Sequence, residues 1–156
     1  MSAVADAITA LKTALGDIDP SPADDPANIY EWPADRATID YETFPFIICA
    51  RALAEEQWLE TLKGSVGPHH WTAEILICLA AGSLTREDVS AALEAAADPW
   101  CEALYTVLIA NRGLGGNALS IGNENGLFTT RIGNIAWLDS LTFWGIYAKV
   151  PVTRFG

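Results

Sequence analysis

The chain has 156 residues, 51% hydrophobic and 19% charged, a composition that supports a folded core and excludes a disordered polymer. Nine Lys and Arg stand against twenty Asp and Glu, for a formal net charge of −11. That balance repels phosphate and argues against a protein that grips DNA or RNA, while a surface past which DNA slides stays compatible with it.

In chain order, Ser2 is placed to cap a first helix in which Val4, Ile8, Leu11 and Leu15 recur at helical spacing among many alanines. Gly16 ends it, Pro20 and Pro22 forbid its continuation, and residues 16–28 read as a loop. Tyr30, Trp32, Ile39 and Tyr41 are strand-type residues interrupted by Pro33 and charges, so this stretch reads as irregular or edge structure. Phe44 to Ala50 is the first firm strand, with Pro45 at its start. Residues 52–63 fit a short helix or a strand about equally. Trp71 to Ala80 is the clearest strand, an apolar, partly β-branched run bounded by Pro68 and Gly82.

Thr85 followed by Asp88 resembles a capping box and predicts a helix over Val89 to Ala96. Asp98-Pro99 then reads as the N-cap and first residue of a further helix carrying Trp100, Leu104, Val107 and Leu108. Arg112 falls in its last turn and Gly113 is placed to supply the left-handed residue that ends it. A glycine-rich stretch runs to Gly126, followed by strand character over 127–131, 135–138 and 141–152. In the last of these Trp144, Ile146, Ala148, Val150 and Val152 alternate with Phe143, Gly145, Tyr147 and Lys149, a period of two that predicts one drier face. The order implies a single domain over 1–156 of the α+β class: a small antiparallel or mixed sheet flanked by two to three helices.

Candidate chemistry is sparse. Cys49, Cys78 and Cys101 are odd in number, far apart and in apolar settings, which predicts reduced buried thiols and a reducing compartment. The N-terminus has no basic region or apolar core of a signal peptide, and no apolar run approaches a membrane span. His69 and His70 are adjacent, so on a strand they point to opposite faces and do not share a metal. The glycines from Gly113 follow a helix instead of preceding one and lack a following Lys-Ser/Thr, so they read as a helix stop, not a phosphate loop. Asp24, Asp25, Asp35, Asp40 and Glu42 lack calcium-loop spacing and read as a solvated loop. No catalytic residue, metal or cofactor is expected. Of the six tryptophans, Trp58, Trp71, Trp100, Trp137 and Trp144 mostly sit in apolar periodic segments and read first as core. Trp32 and Trp137 are the better candidates for exposure. Trp32, Trp137, Arg131, Asn134 and Arg112 are the candidate interface residues.

The layout resembles the tail terminator proteins of long-tailed bacteriophages and related gene transfer agents. The likeness spans most of the chain: the first helix, Phe44-Pro45-Phe46-Ile47-Ile48, the Trp58 segment, and His69-His70-Trp71 leading into Ile75-Leu76-Ile77. It continues in the helix ending Leu108-Ile109-Ala110-Asn111-Arg112-Gly113-Leu114-Gly115-Gly116 and in Phe143-Trp144-Gly145-Ile146-Tyr147-Ala148-Lys149-Val150-Pro151-Val152. The resemblance implies a homo-hexameric ring, not an enzyme, that caps the tail tube, ends its polymerisation and meets the head-closure or connector protein. Genomic DNA would pass through the lumen without specific binding, and no membrane is involved. The protein would be assembled in the host cytoplasm and reside in the neck of the virion tail. The alternatives are another neck or head-closure component and a small ligand-binding or enzymatic α+β domain. The Pro-rich stretch near 20–28 and the glycine-rich stretch near 113–126 depart from that layout.

Overall fold

Two long strands organise the chain. The computed structural model describes residues 3–60, 66–116, 120–138 and 140–155. Strand β4, Val66–Ala81, lies antiparallel to β7, Leu141–Phe155, along nearly the whole length of both. Each long strand then carries two short neighbours on its other flank. Beside β4 lie β2, Phe46–Arg51, along Ala73 to Cys78, and β3, Gln57–Glu60, along Val66 to His70. Beside β7 lie β6, Thr129–Trp137, along Leu141 to Lys149, and β5, Ser120–Ile121, against Val152 and Thr153. Strand β1, Asn28–Glu31, completes the sheet as a parallel partner of β2. Among the described residues the architecture is therefore α+β with a mixed, seven-stranded sheet and two α-helices, dominated by its sheet where the sequence pattern suggests a small one.

One face of the sheet is covered by helices. Helix α1, Ala3–Leu15, forms where expected and buries Val4, Ala7, Ile8, Leu11, Ala14 and Leu15, the stripe its spacing predicts. Gly16 donates its N–H to the Thr13 carbonyl and closes the helix. The Ser2 cap lies outside the described residues. Helix α2, Ala91–Ala110, buries Ala97, Trp100, Ala103, Leu104, Val107 and Leu108. These stripes meet Ile47, Cys49, Trp71, Ala73, Ile75 and Ile77 of the sheet, with Ile146, Ala148, Val150 and Val152 of β7. The period of two in β7 therefore reports burial as expected.

The start of α2 differs from the sequence expectation. Thr85 Oγ1 does donate to Asp88 at 2.8 Å, but only across a turn. The cap is Ser90, whose hydroxyl accepts from the Leu93 N–H at 3.1 Å. Pro99 does not restart a helix; it sits inside α2. A mid-helix proline forfeits one backbone hydrogen bond. Burial of Ala97 and Trp100 on either side holds the helix together there. Gly113 is not the left-handed terminator either: Leu114, Gly115 and Gly116 take positive φ in a short 3-10 turn. Residues 52–63 resolve into β3 over Gln57–Glu60, with 61–63 outside the described residues. The segments 127–131 and 135–138 are one strand, β6, running through Gly133.

The opposite face is covered over only part of its area. The chain between β1 and β2 crosses it and lays down Trp32, Ile39, Tyr41 and Phe44 on Phe46, Ile48, Leu76, Cys78, Ile135 and Phe143. The rings pack edge to face or stacked, as with Tyr41 on Phe143 at 5.9 Å and Phe46 on Phe143 at 5.3 Å. Beneath both layers β4 and β7 approach so closely that a Cβ on Gly145 would stand 1.9 Å from the Ile77 carbonyl oxygen, beside the register shift between Cys78 and Ala80.

Candidate functional site

The five residues singled out from the sequence fall into three settings. Trp32 and Trp137 are not exposed anchors. They meet edge to face at 5.2 Å, Trp137 is buried and Trp32 half-buried, so both belong to the aromatic layer. Each side of that pair looks polar in sequence because the partner arrives from about a hundred residues away. Arg112 and Asn134 are fasteners. Arg112 donates to the Ile121 carbonyl at 3.3 Å. The Asn134 amide pairs with both the N–H and the C=O of Leu84, at 2.9 and 3.0 Å, in the manner of a strand neighbour. Arg131 is exposed, with its guanidinium 5.7 Å from the centre of the Tyr147 ring and one donor on the Asn134 carbonyl.

Arg131 belongs to a bare platform on the loop-covered face. Cross-strand register places Thr129 opposite Lys149 and Arg131 opposite Tyr147, while Glu74 of β4 stands opposite Lys149 on its other side. Tyr147 donates its hydroxyl to Glu74 at 2.5 Å. Burial raises the Glu74 carboxyl above the usual range, and the Tyr147 hydrogen bond and Lys149 only partly offset this. Burial, followed by the Glu74 contact, pushes the Tyr147 hydroxyl up as well. A groove of about 650 Å³ opens beside this floor, lined by Trp32, Thr72, Glu74, Trp137, Tyr147 and Lys149. Its rim carries Leu53 and Leu138, both exposed, and Leu138 holds a positive φ of 53°.

A second polar cluster ties β3 to the sheet. Glu56 accepts two hydrogen bonds from Arg51 and one from His69 Nε2 at 2.7 Å. The Arg51 guanidinium, aided by His69, holds the Glu56 carboxyl below its ordinary value against its partial burial. His69 is buried and stacks on Trp58 at 3.4 Å, whereas His70 turns to the other face and meets Thr153 Oγ1 at 2.9 Å. The opposed histidines thus behave as expected of neighbours on a strand. Trp58, expected in the core, has 68% of its surface exposed. Its burial was not readable from sequence because only the pairing of β3 with β4 fixes which way it faces.

Among the described residues β1, β3, β5 and β6 each have a strand on one side only, and the edges of β6 and β3 differ. Strand β6 has β7 on one side and, among the described residues, no strand on the other. Its Ile132 is 47% exposed, and Tyr105 and Ile109 of α2 are exposed one helical turn apart. At the opposite side β3 pairs only with β4 among the described residues, and all four of its residues are exposed, including Trp58 and Leu59. The outer rim of β1 is occupied locally, since Glu31 donates its N–H to Asp35 and accepts from the Asp35 N–H.

Other chemistry is quiet. All three cysteines are free, and burial pushes the Cys78 thiol up to about 12 and raises Cys49 and Cys101 as well. Among the described residues no three His, Cys, Asp or Glu side chains gather to hold a metal ion, and no helix is long and apolar enough to cross a membrane. No protein-family model matches the chain, and none of the curated proteins matches its sequence.

Proposed function

We propose that this chain is a ring-forming structural protein that caps a phage-type tail tube, ends its polymerisation and joins it to the head connector. The observation that carries this reading is the pair of unlike open edges, β6 with the exposed Ile132 on one side and β3 with Trp58 and Leu59 on the other. A ring of identical subunits needs such a head-to-tail interface, in which two different patches meet and no edge is left over. Exposed aromatic and aliphatic side chains beside polar rims suit the purpose. A net charge of −11 is compatible with a lumen that passes DNA without holding it. The resemblance in layout to tail terminators supplies the particle in which the ring would act.

The test is native mass across concentration, with negative-stain images of the same fractions and with purified tail tubes added. Closed rings of about six subunits that seat on tube ends are expected. A monomer at every concentration, unchanged by tubes, would overturn the reading. It would favour a second one, a small ligand-binding domain, for which the specific support is the groove floored by Glu74, Tyr147 and Lys149.

A further inference from the structure

The polar platform on β6 and β7 is distinctive in a chain this acidic. Arg131 and Lys149 are exposed, lie on adjacent strands of the same face, and among the described residues neither has a carboxylate within ion-pair distance. By contrast Lys12 is paired with Asp35 and Arg51 with Glu56. Glu74, the carboxylate opposite Lys149 in register, already accepts from the Tyr147 hydroxyl. Two cations are thus held on a rigid sheet, on β6 and its neighbour β7, without an ion-pair partner among the described residues, Arg131 resting on the Tyr147 ring and the Asn134 carbonyl.

Complementary groups occur on the far edge. Glu55 and Glu60 bracket β3 and are exposed. Glu55 lies two residues from Gln57, the register partner of His70, and next to Glu56, whose carboxylate meets His69; this alternation puts Glu55 on the same sheet face as Arg131 and Lys149. Trp58 stacks on His69 and so belongs to the helix-covered face, as does Ile132, which lines a cleft with Ala97 and Asp98 of α2. If the sheet continues from one copy to the next, the helix-covered faces stay on one side. Trp58 then meets Ile132 on that side, and Glu55 meets the cations on the other. Reversing the neighbour would set Trp58 against the charged platform.

We infer that the Arg131–Lys149 platform is the docking site for the Glu55–Glu60 edge of a second copy of this chain, and that this charge pairing fixes the head-to-tail direction of assembly. The inference rests on the ring reading above and names its interface. Ion pairs at such a rim act mainly on encounter and orientation, so salt should slow assembly.

The experiment compares the wild type with a variant carrying Arg131→Glu and Lys149→Glu and a variant carrying Glu55→Lys and Glu60→Lys. Each is checked for a wild-type melting transition and then for native mass. The first variant has two acidic edges and the second has two basic edges. Each alone is expected to stay monomeric where the wild type forms rings, and an equimolar mixture is expected to form alternating rings of even number. Should a reversed variant fail to fold, Arg131→Ala with Lys149→Ala takes its place. That variant is expected to need at least about tenfold more protein to assemble. Wild-type rings accompanied by rings of both variants overturn the inference alone, as does a mixture of folded variants that stays monomeric. So does a platform variant that keeps its ring and loses only its grip on tail tubes, since the platform then serves the tube. A monomeric wild type overturns the ring reading and this interface together.

Discussion

The two faces of the sheet are built from alternate residues of the same strands, yet they are finished differently. The helix-covered face is aliphatic and is closed by α1 and α2, with Ile75, Ile77, Ile146 and Ala148 fully shielded. The other face is aromatic where the 32–45 crossing covers it, and bare and charged beyond, where Thr129, Arg131, Tyr147, Lys149 and Glu74 stand. Helices shield an area in bulk, whereas a single crossing segment shields only what its own side chains reach. The contrast separates tasks: one face supplies most of the burial, and the other has surface left for recognition.

Substitutions should reveal that asymmetry. The largest effect is expected for Trp100→Ala, which empties the space between α2 and the sheet and should cost about 3–5 kcal/mol in a urea titration. A loss below 1 kcal/mol would mean that the helices add little to the fold. Trp32→Ala removes one half-buried ring of the edge-to-face pair with Trp137 and should cost about 1–2 kcal/mol. A cost equal to that of Trp100→Ala would erase the distinction between the faces.

The smallest effect belongs to Glu74→Gln and is a matter of pH. The Glu74 carboxyl is raised in the folded state, chiefly by burial. Its favourable contribution is therefore complete below its unfolded value and is lost as pH rises through the folded one. The Gln variant should melt higher than wild type at neutral pH, with the gap closing as acid protonates Glu74. Asp35 and Glu56 act in the opposite sense, because Lys12 and Arg51 hold them low. They are common to both proteins and drop out of the difference. A gap that stays constant across pH would show that Glu74 is not titrating against burial.

Much of this fold is legible in the residues. Val4, Ile8, Leu11 and Leu15 mark α1, and the alternation from Phe143 to Val152 marks β7, because each pattern is a direct record of a buried stripe. The errors have physical causes. Thr85 and Asp88 carry the letters of a cap and do bond each other, yet Ser90 wins because the chain reaches the sheet only after it. Pro99 reads as a boundary, and tertiary burial overrides that preference. Gly133 splits β6 on paper, while the ladder with β7 runs straight through Gly133 opposite Gly145. The candidate site was less legible. Arg131 could be named as a surface residue, but its neighbours Lys149 and Glu74 are cross-strand, and register is not written locally.

The position of β7 also bears on how the molecule is made. It is the last of the described strands to leave the ribosome, yet it lies mid-sheet, between β4 on one flank and β5 and β6 on the other. Until residues 141–155 emerge, β6 has no ladder, β4 lacks its longest partner, and both hydrophobic layers stand open. Pairing across about sixty residues of intervening chain is slow to find. A nascent chain therefore carries no finished β6 platform, and the β6 edge exists only once the sheet has closed. Synthesis order thus leaves the two hydrophobic layers and the platform to be completed together, in the last step.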